Sequence, residues 1–306
     1  MMQIGLTLPI RNDIDTKTNI EIGVEAEKLG FDSVWVSDHV VVPTNHIGSF
    51  SEIFHDPFVL LSALAGVTKK ISLGTSLIIL PYRNPIVVAK MISTLDQLSD
   101  GRVIFGVGTG WMKEEFDTLA VPFKERGKRS NEYIEIIKNL WTEENPEFDG
   151  EFFSYSDIKF EPKSVQKPHP PILVGGNSEK AWQRAVLHGS GWQPTWYSPE
   201  KMKEEQEKLK EFASENDKDL DNFFFTVRNR IALKHEKLSK DYTKELGENK
   251  PAYLFSGSVD SILADMEKFR SLGIEHILLD PVVDDLDDYS KVMEIISDEI
   301  IPAIKP

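Results

Sequence analysis

The sequence predicts an α/β protein built as a closed (β/α)₈ TIM barrel with insertions. Three observations carry that expectation. Short apolar runs alternate with helical patterns from one end of the chain to the other, and eight such units fit within 306 residues. No Pro/Gly/Ser-rich linker divides the chain, and no repeat of fixed period runs through it. Strands that alternate with helices form parallel sheets. Eight units at this length favour closure into a barrel over an open doubly wound sheet, which is the competing architecture. One domain spanning 1–306 is expected, with insertions near 42–56, 146–160 and 234–256.

The elements follow in order. Gln3–Pro9 reads as the first strand. Thr18-Asn19-Ile20-Glu21 has the pattern of a capping box, with Ile22, Ala26 and Leu29 behind it and Gly30 as the stop. Ser33–Ser37 is a short second strand. Asp56-Pro57 and Asn84-Pro85 each pair an N-cap with proline at the first helical position. They open helices to about Thr68 and Leu98, on either side of a third strand over Ile71–Leu80. Arg102–Val107 is the fourth strand, and Glu125–Trp141 the helix after it. Phe148–Phe160 breaks the rhythm and reads as an inserted hairpin around Asp149-Gly150. Pro171–Val174, Trp192–Thr195, Phe223–Leu233 and Ile274–Leu279 complete the strands. Helices at Ser178–His188, after Ser198-Pro199, at Ser258–Leu272 and at Leu286–Ile304 follow them. Residues 234–256 read as a polar, irregular insertion.

Composition excludes several functions. Acidic residues number 50 against 35 basic, a formal charge of -15, and such a chain repels a phosphate backbone. No nucleic-acid partner is expected. With no cysteine, disulfides, thiolate metal sites and cysteine nucleophiles are ruled out. The start runs straight into a strand with no basic or long apolar leader, and no run of about 18 apolar residues exists. These observations predict no signal peptide and no membrane span, hence a cytoplasmic protein.

Gly106-Val107-Gly108-Thr109-Gly110 follows the fourth strand. A dinucleotide fingerprint needs G-x-G-x-x-G in the first βα unit. Here Trp111 stands where the third glycine belongs, so that reading fails. A tight turn explains the glycines. So does a loop that lets a flat ring approach the backbone closely, and the catalytic face of a barrel favours this second reading.

Several motifs in order then resemble the luciferase-like monooxygenase superfamily, and within it the coenzyme F420-dependent oxidoreductases. They are Gly30–His39, Leu73–Ser76, Asn84-Pro85, Leu95–Arg102, Gly106–Trp111, Glu125-Arg126-Gly127, Pro168–Gly176 and Gly189–Trp192. The resemblance covers about the first two-thirds of the chain, with weaker agreement through Gly273–Leu279. It implies the bacterial luciferase-like barrel, with an isoalloxazine-like ring at the C-terminal mouth. It also implies a non-prolyl cis peptide at Ser76-Leu77 whose bulge supports one face of the ring.

The resemblance makes Asp38 a cofactor contact and His39 the catalytic acid or electrostatic stabiliser. Both end the second strand, and an imidazole that titrates near neutrality suits the proton that accompanies hydride transfer. An Asp-His pair that only orders a loop is the alternative. Gly175, Gly176, Asn177 and Ser178 precede a helix, whose free N–H groups suit a phosphate; an ordinary cap is the alternative there. Ser76, Leu77, Thr109, Gly110 and Glu114 match further cofactor positions. Trp111 departs from the sugar-phosphate dehydrogenases, which carry a catalytic Glu there, and Ser190 replaces a common Asp. His46 and His55, with Asp38, His39 and Asp56, lack the paired spacing of a metal site; they read as a substrate-covering loop lined by Phe50 and Phe54.

F420 is the expected cofactor and FMN, in a monooxygenase, the alternative. A small-molecule substrate is expected, and a homodimer through helices near the second and third strands. A non-catalytic flavin-binding barrel and a metal-dependent hydrolase are further readings. They are separated by a turnover assay of His39→Ala and by metal analysis.

Overall fold

A computed structural model describes residues 2–47, 51–244 and 253–305. Phe50 and residues 245–252 of the third insertion lie outside the described residues.

The first half of the barrel runs β1 (Gln3–Thr7), α1 (Thr16–Lys28), β2 (Ser33–Val36), α2 (Pro57–Val67), β3 (Ser72–Thr75), β4 (Ile78–Ile79), α3 (Pro85–Leu98) and β5 (Val103–Gly108). After it come α4 (Lys113–Thr118), α5 (Arg126–Thr142) and the hairpin β6 (Phe148–Asp149) and β7 (Ser154–Tyr155). The second half is β8 (Ile172–Gly175), α6 (Glu179–His188), β9 (Gly191–Gln193), α7 (Pro199–Glu215), β10 (Phe224–Leu233), β11 (Leu254–Gly257), α8 (Val259–Ser271), β12 (His276–Pro281), α9 (Leu286–Ile295) and α10 (Ile301–Ile304).

The barrel strands pair in parallel in the order β10-β12-β1-β2-β3-β5-β8-β9, and β9 returns to β10 to close the ring. The eight-stranded closed barrel is thus observed. Strand β4 continues the third barrel position beyond a break, pairing Ile78 with Val107.

Local signals account for the helices. Asp56, Asn84 and Ser198 cap α2, α3 and α7 through their side chains, each followed by proline. Three expectations need correction. Helix α1 starts at Thr16, capped by Asp15, whose carboxylate accepts from the Thr18 amide at 2.8 Å; the earlier aspartate outcompetes the Thr18 box. The stretch 234–256 is not wholly irregular, because β11 adds a parallel strand to the outer half of β10. Helix α4 was not expected at all.

The hairpin sits on α5. The Glu132 carboxylate accepts from the amides of Glu151, Phe152 and Phe153, and Phe148 stacks on Tyr155.

Apolar side chains fill the layer between strands and helices. Inside the ring, Trp35, Leu173 and Leu278 pack together with Ile104. Trp35 fits because Gly74 faces it: a Cβ there would lie 2.2 Å from the indole. Below Trp35, His276 is wholly buried. Its Nε2 lies 2.8 Å from Ser33 Oγ, which also accepts the Trp35 indole N–H at 2.7 Å.

Burial pushes the His276 imidazole down from 6.5 to about 4. The unfolded chain therefore takes up this proton first as pH falls. The stability tied to neutral His276 is complete above pH 6.5 and is lost towards pH 4, by about 3 kcal/mol. Urea denaturation at pH 7 and 4.5 checks this: His276→Asn is expected to remove that part of the pH slope, and an unchanged slope would refute it.

Candidate active site

The C-terminal ends of the strands gather the residues singled out from the sequence. Strand β2 ends at Val36, and Asp38 and His39 follow it. Asp38 is buried, and its carboxylate accepts three hydrogen bonds from two partners. Arg83 donates to it twice, at 2.5 and 2.8 Å, and the Ile79 amide donates at 2.9 Å. Burial alone would lower the Arg83 guanidinium, but Asp38 and Asp56 outweigh it and hold the group above its ordinary value. This aspartate orders the loop between β4 and α3.

His39 is held from the other side. Its Nδ1 lies 2.7 Å from Oε2 of Glu115 on α4. The Glu115 side chain is wholly buried. It also accepts from the amides of Val40 and Val41 and from the Tyr82 hydroxyl at 2.9 Å. Burial works to raise its carboxyl; the His39 hydrogen bond and charge, the Val40 amide and Tyr82 outweigh that and hold it below the ordinary range. The Tyr82 hydroxyl is pushed up by burial and then by the Glu115 charge. Glu115 is therefore an ionised acceptor, which makes Nδ1 of His39 the donor.

The sequence pointed to Glu114, but the two neighbours differ. Glu114 has a side chain 51% exposed, 3.7 Å from Nε2 of His46. Glu115 turns inward.

Between β3 and β4 the peptide Ser76-Leu77 is cis. Ser76 is fixed on every side. Its amide donates to Val36 O, its hydroxyl to Gln193 Oε1 at 2.7 Å, and its carbonyl accepts from Arg228 at 3.1 Å. Arg228 also donates to Ser37 Oγ and pairs with Asp280 at 3.2 Å. Leu77 lies over the glycines of the neighbouring strands. A Cβ on Gly175 would meet it at 2.0 Å, and one on Gly108 at 3.1 Å. A Cβ on Gly106 would strike the Thr75 carbonyl at 1.9 Å. The glycine loop was expected to admit a flat ring against its backbone. In the structure those faces are filled from within the chain, because the bulge at residue 77 needs the space.

Beyond β8, the α6 N-terminus is bare. Ser178 is its N-cap but makes no side-chain cap bond. The Asn177 side chain turns away to the Thr195 backbone. Neither serves as the ordinary cap, so the first amides of α6 face solvent. Gly176 has φ of 126°, and its amide reaches Gln193 O. Thr109 is half-buried; Gly110, at φ 74°, gives its carbonyl to Arg126.

The metal reading finds no support in geometry. His55 lies by Thr16, His46 by Glu114, and among the described residues no group of His, Asp or Glu could hold a metal ion. Glu115, Arg83, Gln193 and Arg228 escaped the sequence reading.

A parallel barrel with a carboxylate-held histidine at its strand ends defines a class of proteins with their chemistry at the C-terminal mouth. Residues 2–240 match the luciferase-like monooxygenase family, and the chain belongs to that family.

It is 39% identical over 166 residues to an F420-dependent glucose-6-phosphate dehydrogenase of Amycolatopsis mediterranei, a match covering 51% of this chain and 47% of that protein. It is 35% identical over 130 residues to an FMNH(2)-dependent dimethylsulfone monooxygenase of Pseudomonas putida, covering 42% and 36% respectively. The match thus spans about half or less of these curated relatives. Among solved structures, an F420-dependent secondary alcohol dehydrogenase bound to an F420-acetone adduct superposes with a TM-score of 0.82 at 22% identity, covering 100% of this chain and 99% of that one. The monooxygenase RslO1 from Streptomyces bottropensis also gives 0.82, at 19% identity, covering 99% and 100%. These last two likenesses speak for the fold.

Proposed function

We propose that this chain is an oxidoreductase that moves a hydride between a deazaflavin of the F420 type and a small organic substrate. The observation that carries the reading is the His39–Glu115–Tyr82 network at the barrel mouth. The residues fit such a cofactor. The bare α6 N-terminus at Gly175, Gly176, Asn177 and Ser178 suits a phosphate. The fixed Ser76-Leu77 peptide, with Asp38 behind it and Thr109 and Gly110 beside it, offers a rigid seat for a planar ring. Glu114 belongs to the rim. The cofactor supplies the hydride chemistry when bound. The protein orients the substrate and manages the proton: Nε2 of His39 gives it to, or takes it from, the substrate oxygen, while Glu115 fixes the imidazole and steadies its charged form.

An FMN-dependent monooxygenase is the second reading, favoured by the dimethylsulfone monooxygenase among the relatives. Titrating the purified protein with F420 and with FMN, followed by absorbance and fluorescence, separates the two. F420 is expected to bind; tight FMN binding with none of F420 overturns the first reading.

We also propose one domain that pairs with a second copy. On α3, Val87, Met91 and Leu98 are exposed along one stripe, and Val59 and Val67 of adjacent α2 are exposed beside it. Light scattering is expected to give twice the 34.8 kDa chain mass, falling to one chain in Met91→Glu with Val87→Lys. Monomeric wild type refutes the pairing. No described helix is long and apolar enough to cross a membrane.

A further inference from the structure

We propose that the ends of β9 and β10 form a subsite for an organic carboxylate with a flat apolar body, Arg230 taking the carboxylate and Trp196 covering the body. The proposal rests on the proposed function for placing a substrate at the barrel mouth, and it adds that substrate's chemical class.

Arg230 faces into the ring. Side chains along a strand alternate between its faces. On β10, Val227 and Ile231 pack in the outer apolar layer, while Arg228 reaches inward to Ser37 and Ser76. Arg230, two positions on, shares the inner face with Arg228 and lies nearer the C-terminal end. It is half-buried, and among the described residues its side chain has no hydrogen bond and no ion pair. Its register partner on β12 is Asp280, but Arg228 holds that carboxylate at 3.2 Å. Thr7, one residue past the Leu6–Leu279 pair, has a buried hydroxyl that also lacks a partner among the described residues. A half-buried guanidinium without a counter-charge is unfavourable, and a bound anion relieves it.

The charges select a single negative group. On this side of the mouth Arg228 and Arg230 face one carboxylate, Asp280, which leaves one positive charge over. The charges on the loops nearby are committed elsewhere, Arg11 to Asp13 and Lys240 to Asp284. The opposite side is acidic: Asp38 and Asp56 surround Arg83, Glu115 holds His39, and Glu114 is exposed on the rim. A carboxylate matches one guanidinium fork to fork. A phosphate dianion would bring a second negative charge to a chain whose net charge is already -15.

Trp196 supplies the apolar half. Its φ is 59°, a left-handed setting unfavourable for a bulky side chain. The adjoining strand enforces it. Thr195 bridges to Arg228, the Trp196 amide donates to the Arg228 carbonyl at 2.9 Å, and the Tyr197 carbonyl accepts from Asn229 Nδ2 at 3.0 Å. The indole is left 41% exposed, and among the described residues no other aromatic ring stacks on it. Backbone strain spent on presenting an aromatic face, level with a half-buried cation on the next strand, suits a flat ligand that ends in an anion.

Calorimetric titration with phenylacetate, phenylacetamide, acetate and inorganic phosphate tests this, on the cofactor-free chain and on protein loaded with F420. Phenylacetate is expected to bind roughly 10-fold or more tightly than each of the other three. Arg230→Gln is expected to weaken phenylacetate by roughly 10- to 100-fold and to leave phenylacetamide within about 3-fold. Its melting temperature should be no lower than that of wild type, because the charge removed has no partner. Trp196→Ala is expected to weaken both phenyl ligands alike, by roughly 10-fold. Equal affinity for phenylacetate and its amide, tighter binding of phosphate, or unchanged phenylacetate affinity in Arg230→Gln overturns the proposal. So does a markedly lower melting temperature in that variant, which would make Arg230 structural, or a loss confined to F420, which would give Arg230 to the cofactor. If F420 fails to bind wild type but the carboxylate preference holds on the cofactor-free chain, the cofactor assignment falls and the carboxylate subsite stands.

Discussion

Replacing His39 by alanine is expected to lower kcat by roughly 10²- to 10⁴-fold, the range a positioned proton donor contributes. Cofactor affinity should change by less than about 3-fold, because the side chain bonds to Glu115 rather than to the Ser76-Leu77 seat. Glu115→Gln is the finer test. Its amide oxygen can still accept from the Val40 backbone, yet the charge that steadies a protonated imidazole is gone. A loss of roughly 10²-fold in kcat is expected, with KM nearly unmoved. The pH profile adds a readout that mere misfolding would not produce. Because Glu115 is held below the ordinary carboxylate range, its support for His39 persists down through mildly acidic pH and fails only below that range. In Glu115→Gln this acid limb should vanish. Full activity in His39→Ala would remove the imidazole from the chemistry, whereas cofactor binding with no turnover in wild type and variant alike would favour a flavin-binding barrel without catalysis.

Asp38→Asn is expected to destabilise the cofactor-free protein by about 3 kcal/mol, since removing one partner of a buried ion pair strands the other. Arg83 would keep only Asp56, a longer contact to a side chain 46% exposed. A calorimetric melting temperature about 5 °C lower follows for a chain of this size. Adding Arg83→Met, which removes the stranded charge, should recover much of the loss. If Asp38 mattered only as a cofactor contact, the cofactor-free protein would melt unchanged. The experiment thus separates two roles that the sequence left as alternatives.

Those alternatives show what could be read in advance. The strand–helix alternation and the Asp56-Pro57, Asn84-Pro85 and Ser198-Pro199 starts were legible because each signal lies in adjacent residues. The position of the cis peptide came from the family resemblance. Glu115 was not legible. It follows Glu114 in a polar six-residue helix, and which of the two turns inward is decided by how that helix packs against His39, 76 positions earlier. Arg83 stood next to a recognised cap signal, which hid its own role as the partner of Asp38. The glycines at 106, 108 and 175 were visible, but their occupant was not. Leu77 reaches Gly175 from nearly a hundred residues away, and nothing local to either announces the contact. Strand β11 escaped for a related reason. Its four residues carry little periodicity, and the pairing partner in β10 supplies the order.

The indole of Trp35, seated against Gly74 with Leu173 and Leu278, stoppers the ring from below. Among the described residues, this packing closes the inside of the ring beneath the strand ends. Whatever leaves after turnover departs by the route its successor must enter, and each blocks the other. On the proposed function, product would have to clear that mouth before the next substrate molecule could bind.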